Sequence, residues 1–330
     1  MGTCDFSPLN CVETLSDSCV SSCDVVDLKL TSSRKCRTTS ALKDKSILIT
    51  GGNIGLGRTT AEECALAGAA YIVLLCRNTK TAAEVEKSSK SLARNPNFRV
   101  ETIACDLGDL KTVRDCVSVL SASKEKFDVL FLNAGVMMVE AGKTTDGFET
   151  HIGVNHFGHF LLTNLLLKEN LVKEGARVVA LSSMAQKYWP RGFSLEDLNW
   201  EKRKYSSSEA YAASKAANIL MMQELQRKFD AEGKKRIATS VHPGFVRTKL
   251  TREESLAKYF LLAIFPLYWL VSLSPREGVQ CSLYAATAPE VANMGGSYFE
   301  NLRPATPTQS SPQVAAELWK ISEEKTGVVY

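Results

Sequence analysis

Long hydrophobic runs are scarce in this chain of 330 residues. Its most apolar stretch, Tyr259–Leu273 (YFLLAIFPLYWLVSL), is 15 residues long and carries Pro266. A bilayer-spanning helix needs about 20 apolar residues, and proline kinks a helix, so this run is not read as a membrane span. The first 42 residues lack the apolar core of a secretory signal. Their acids, Asp5, Glu13, Asp17, Asp24 and Asp27, argue against a transit peptide. A myristoyl signal would want Ser or Thr at position 6, where Phe6 stands with Ser7 one place late, so no lipid is expected at Gly2 or at Cys4. Charge of one sign is also lacking. The 40 basic and 36 acidic residues leave a net charge of +4 with no dense basic run, and no nucleic-acid partner is expected.

Ten cysteines are present, but a disulfide framework is not expected. Five of them (Cys4, Cys11, Cys19, Cys23, Cys36) fall in the first 36 residues, and Cys64, Cys76, Cys105, Cys116 and Cys281 are scattered through apolar segments. Without a secretory signal these read as free thiols in a reducing, cytoplasmic compartment. Metal sites are not expected either. His156 and His159 share a helical face at i, i+3, but no third ligand stands out, and a packing or polar role suits them.

Residues 1–42, rich in Ser, Thr and Cys and without apolar period, read as a disordered extension. From 43 to 330 the chain alternates. Strands are expected at 46–50, 71–75, 99–105, 127–132, 177–182 and 236–241, with a short seventh at 296–299. Helices are expected at 55–67, 80–93, 108–122, 147–171 and 207–230. Such alternation predicts an α/β fold: one doubly wound Rossmann-type domain, with a parallel sheet of about seven strands and helices on both faces.

Thr50-Gly51-Gly52-Asn53-Ile54-Gly55-Leu56-Gly57 lies where the first strand meets the first helix. Glycines there let backbone N–H groups approach a dinucleotide pyrophosphate, and the positive helix end faces it. An NAD enzyme wants an acid at the end of the second strand to bind the ribose 2′-hydroxyl. That acid is missing. Cys76 and Arg77 stand there, and a guanidinium matches a 2′-phosphate, so NADP(H) is the expected cofactor. Asp106, with Leu107 beside it, ends the third strand where the adenine amino group is expected. Asn133-Ala134-Gly135 ends the fourth strand, where a small-residue turn can pass under the cofactor.

Tyr211 and Lys215 lie four apart on one helical face. A free phenol has pKa of about 10. An adjacent ammonium and a nicotinamide cation favour the phenolate, which brings Tyr211 towards general acid-base work. Ser183, near the end of the fifth strand, is placed to hydrogen-bond a substrate oxygen. Asn155 is a candidate to hold a water between Lys215 and solvent.

Taken together these motifs resemble the short-chain dehydrogenase/reductase superfamily over about 43–300. The retinol dehydrogenase-like branch is the most similar, through Leu132-Asn133-Ala134-Gly135-Val136, Asn155-His156-Phe157-Gly158-His159-Phe160-Leu161 and His242-Pro243-Gly244-Phe245-Val246-Arg247-Thr248. The insert between Ser183 and Tyr211, with Phe193-Ser194-Leu195-Glu196-Asp197-Leu198, adds to the likeness. The resemblance implies a catalytic set of Asn155, Ser183, Tyr211 and Lys215, with Ser183 rather than Ser182 as the catalytic serine. It implies a pyrophosphate turn at Gly51, Gly55 and Gly57, with Asn53 and Ile54 between them. It implies a loop that grips the nicotinamide carboxamide at Pro243, Val246 and Thr248, and transfer of the pro-S hydride. Similar proteins place a substrate lid at this point, so Tyr259–Leu273 reads as a lid, a peripheral membrane contact or a helix packed into the core, and a lid this apolar suggests a lipophilic substrate: retinoid, steroid, fatty aldehyde or isoprenoid carbonyl. Light-dependent protochlorophyllide reductases share the Tyr/Lys pair but lack a serine matching Ser183. A non-catalytic NADPH sensor on the same fold is the alternative from another class, and the oligomeric state, monomer or homodimer, stays open.

Overall fold

The computed structural model describes residues 35–36, 38–188, 193–247 and 272–330. Residues 259–271 of the expected lid at 259–273, and Thr248, lie outside these residues. Eight strands form one sheet: β1 Ser46–Thr50, β2 Tyr71–Cys76, β3 Arg99–Ala104, β4 Phe127–Leu132, β5 Val172–Leu181, β6 Ile237–His242, β7 Tyr298–Glu300 and β8 Arg303–Ala305. Their order is β3-β2-β1-β4-β5-β6-β7-β8. All neighbours pair parallel except β7 and β8. The helices are α1 Gly55–Leu66, α2 Ala82–Leu92, α3 Leu110–Ser123, α4 Gly158–Lys168, α5 Ala185–Tyr188, α6 Ser207–Ala231, α7 Pro275–Gly278, α8 Gln280–Thr287 and α9 Pro312–Thr326.

Burial on both faces explains the continuous apolar strands. In β1, Ile47 and Ile49 face a layer containing Ala61, Cys64 and Ala65 of α1, Val85 of α2 and Leu283 of α8. Leu48, between them, faces α3, α4 and α9 through Val113, Val117, Phe160, Leu161 and Leu318. Strand order reverses between β1 and β4, so the carboxyl ends of these two strands diverge into a crevice, the usual ligand position in open α/β sheets.

Three expectations are adjusted. The helix expected at 147–171 is an α-turn Thr150–Ile152, a π-turn Gly153–Phe157 and then α4, so Asn155 sits in the wide turn. An eighth strand, β8, was not anticipated: it is three residues long, contains Pro304 and pairs antiparallel at the edge, where proline is tolerated. Packing also reaches upstream of residue 43. Cys36 and Leu42 are buried in the α1 layer, the Cys36 N–H donates to Gln280 Oε1 at 2.8 Å, and the Thr38 and Thr287 hydroxyls are 2.7 Å apart.

Leu42 is 1% exposed, so Leu42→Ala should cost about 2–5 kcal/mol of stability. A chain beginning at Lys43 should melt several degrees below one beginning at Lys35. Calorimetry of the three proteins checks this, and equal melting temperatures would show that the Cys36–Leu42 contacts add nothing.

Candidate active site

The turn after β1 is built for close approach. Gly51 and Gly55 adopt φ of +64° and +54°, a region costly for other residues. A Cβ on Gly57 would overlap the Gly51 carbonyl oxygen and crowd the Asn133 amide. Helix α1 then starts at Gly55; Ile54 before it supplies no side-chain cap, and no acid lies in its first turn. Its first N–H groups therefore lack intrahelical partners and present positive potential, which suits an anion such as a pyrophosphate.

Thr50 ties this turn to the rest of the site. Its hydroxyl, 1% exposed, accepts the Asn133 and Ala134 N–H groups, both at 2.9 Å. With two donors pointing in, its own proton goes to His159 Nε2, 2.8 Å away. His159 Nδ1–H then donates to the Asn155 carbonyl at 2.8 Å. The chain of bonds requires a neutral imidazole, and burial holds His159 down to about 4. His156, by contrast, bonds Ser322 of α9 at 2.8 Å and belongs to the core.

Above the turn lies a cavity of about 450 Å³, lined by Gly51, Asn53, Ile54 and Gly55 on one side and by Asn133, Ala134 and Gly135 on the other. Cys76, Arg77, Asp106 and Leu107 line its far end, and Tyr211, Lys215 and Pro243 its near end. The volume suits a ligand of cofactor class. Burial pushes the Cys76 thiol up to about 11, so no negative charge arises where an NAD enzyme would want one. Arg77 beside it is exposed and forms no ion pair among the described residues. Asn53 braces this end by donating to Thr81 Oγ1 at 2.7 Å. Asp106 accepts the Gly108 N–H at 2.9 Å. The glycine cradle and the uncapped helix end fit a dinucleotide cofactor.

At the near end, α6 presents Tyr211 and Lys215, with the ammonium 5.7 Å from the phenol ring centre. Lys215 Nζ donates to the Leu181 carbonyl at 3.0 Å, and Asn218 donates to the same oxygen at 3.1 Å. The two serines divide their work. Ser182 donates to the Lys215 carbonyl at 2.7 Å and fixes the helix, while Ser183 hydrogen-bonds Tyr211. Burial pushes the Tyr211 phenol up to about 12, with the Ser183 contact opposing the shift, and draws Lys215 down to about 8. The lowering of the phenol expected from the ammonium is thus not seen in the protein alone, where desolvation dominates and only the Ser183 contact opposes it.

Asn155 is engaged with protein. Its Oδ1 accepts the Val136 N–H at 2.8 Å, and its Nδ2 donates to the Val136 carbonyl at 3.0 Å and to Ser214 Oγ at 2.9 Å. Gly135 must be small because a Cβ there would stand 3.0 Å from Asn155 Oδ1. Val246 bridges to Leu273 and packs against Gly278 of α7 instead of lining the cavity. Sequence reasoning did not assign roles to Thr50, Ser182 or Ser214, and gave His159 only a packing or polar one. For Thr50 a signal existed, a polar residue closing the apolar run Ile47-Leu48-Ile49 directly before the glycines.

Residues 45–195 match a sequence model described as short chain dehydrogenase. Human retinol dehydrogenase 13 is 35% identical over 298 residues, covering 89% of this chain and 88% of the relative. Mouse retinol dehydrogenase 14 is 39% identical over 301 residues, covering 86% of each. Among solved structures, an uncharacterized protein from Mycobacterium Paratuberculosis is 36% identical, with a TM-score of 0.67 over 88% of this chain and 97% of the other. A short chain dehydrogenase from Burkholderia cenocepacia J2315 in complex with NADP, 22% identical, shares the fold at a TM-score of 0.60, covering 78% of this chain and 96% of that one. On this fold, this site and these identities, the chain belongs to the short-chain dehydrogenase family of oxidoreductases, in its retinol dehydrogenase-like branch.

Proposed function

We propose that the protein is an NADP(H)-dependent oxidoreductase that interconverts an alcohol and a carbonyl on a lipophilic substrate, with Tyr211 as the general acid-base. The observation that carries this reading is a buried phenol and ammonium, Tyr211 and Lys215, that line one end of a cavity of cofactor size, with the Ser183 hydroxyl on the phenol. When bound, the cofactor supplies or accepts the hydride. Gly51, Gly55 and the start of α1 hold its pyrophosphate, Arg77 its 2′-phosphate, and Asp106 its adenine. Pro243, on the loop after β6, borders the nicotinamide end.

In the reductive direction Ser183 orients the carbonyl oxygen beside Tyr211. The phenol, raised by burial, is fully protonated at neutral pH and gives up its proton as charge grows on that oxygen. Lys215, near 8, is largely charged at pH 7 and stabilises the phenolate left behind. The oxidative direction reverses each step. Names of the relatives point to retinol and retinal as probes, and the apolar run at 259–273 suits such a substrate and a peripheral contact with a membrane surface.

Tyr211→Phe removes one hydroxyl, so the cofactor cavity should persist. kcat for all-trans-retinal with NADPH should fall about 10²–10⁴-fold. NADPH affinity, read by fluorescence titration, should hold within a few-fold. A wild-type chain that binds NADPH but turns over no aldehyde or ketone in a broad panel would favour a sensor instead. Substantial turnover in Tyr211→Phe would move the acid elsewhere.

Arg77→Ala should weaken NADPH about tenfold or more, since a charge-assisted contact is worth about 1.5–3 kcal/mol. NADH binding should be nearly unchanged. Equal losses for both cofactors would remove Arg77 from the 2′-phosphate site.

A further inference from the structure

The strand-to-helix connection after β4 is held by side chains at two points. At Val136 both backbone groups are taken by Asn155. Three residues on, Val139 is held in the same manner by a different group. Its N–H donates to His151 Nε2 at 3.3 Å, and its carbonyl accepts the Tyr205 hydroxyl at 3.1 Å. His151 can accept there because its Nδ1–H donates to Glu149 Oε1, 2.7 Å away. Glu149 in turn accepts the His151 and Ile152 N–H groups, both at 2.9 Å, as the cap of the turn before Asn155. Asn199, in the insert before α6, accepts the Glu149 N–H at 2.9 Å. The side chains of His151 and Glu149 are 0% and 3% exposed.

Between the two held valines stand two methionines. Met137 packs in one small cluster with Tyr211, Ala212 and Ala185. Met138 is 48% exposed and adopts φ of +50°, a left-handed conformation that an unbranched non-glycine residue keeps only when its surroundings impose it. The His151 ring also lies edge-on to Tyr211, with centroids 6.1 Å apart.

We propose that Glu149, His151 and Tyr205 are positioning residues for a specificity wall: by fixing Val139 they hold Met137 and Met138 against the apolar body of the substrate, beside the reacting carbonyl. This rests on the oxidoreductase reading. A long polyene contacts the wall, whereas a short aldehyde engages the chemistry at Tyr211 with little of it. Met is suited to such a surface because its thioether adapts to irregular apolar shapes.

The test uses the full chain and four variants: His151→Ala, His151→Gln, Tyr205→Phe and Met138→Gly. His151→Ala and Tyr205→Phe should raise KM for all-trans-retinal roughly ten- to hundred-fold. Their kcat/KM for butanal and their NADPH affinity should stay within a few-fold of wild type. Glutamine can accept from Val139 and donate to Glu149, so His151→Gln should restore most of the retinal KM. Met138→Gly should lose discrimination between retinal and butanal without lowering the melting temperature, since glycine tolerates that φ. Hydrogen exchange should accelerate at Val139 in His151→Ala while Val136 stays protected. Parallel losses for both aldehydes that track the melting temperature, absence of rescue by glutamine, or unchanged exchange at Val139 would overturn the proposal. If the wild-type chain reduces neither aldehyde, the oxidoreductase reading fails on its own, while the exchange measurement still decides whether His151 holds Val139.

Discussion

One hydroxyl organises the site. Thr50 Oγ1 is the shared acceptor for the first two N–H groups beyond β4 and the donor to His159. The end of the first strand, the turn after the fourth strand and the helical segment carrying Asn155 are therefore fixed relative to one another by a single buried atom. An unmade bond at such a depth costs about 1–3 kcal/mol, so the arrangement is favourable only if every partner is present together. The glycine turn depends on it too, because Asn133 Nδ2 donates to the Thr50 carbonyl at 2.9 Å, next to where Gly57 makes its close approach.

Charge is the second constraint. Tyr211 and Lys215 are both buried, and desolvation disfavours the charged form of each, raising one and lowering the other. Lys215 keeps its proton near neutrality because the Leu181 carbonyl solvates it in place of water. The outcome is a neutral phenol beside a compensated cation, with Ser183 on the phenol. Such a pair is poised to give a proton away when negative charge develops nearby, and a preorganised cation need not reorganise as that happens.

Much of this was legible in the sequence because it follows from short-range pattern. The apolar run Ser46–Thr50 ending at glycines, the four-residue interval from Tyr211 to Lys215 and the replacement of an acid by Cys76 and Arg77 each carry a local physical meaning. Other features depend on partners far away in sequence. The π-turn at Gly153–Phe157 leaves no periodic trace, since its residues read as ordinary helix. His159 read as a packing or polar residue without a named partner, and its tautomer is set by Thr50, 109 positions distant. β8 was missed because Arg303-Pro304-Ala305 has no strand signal of its own and forms only against β7. The burial of Leu42 was missed because its neighbours in sequence are polar, and its apolar surroundings come from α1 and α8.

The π-turn has a consequence for how the chain can change. A residue advances a regular α-helix by about 100°, so the wide turn displaces the phase of everything before it relative to α4. Asn155 meets Val136 and His159 meets Thr50 only because these two phases differ from those of a continuous helix. Deleting one residue within 153–157 would give a more regular helix and turn one group of side chains away from its partners. The shortest path to better helical geometry therefore runs through loss of the site, and the irregularity is kept in place by the bonds that it alone allows.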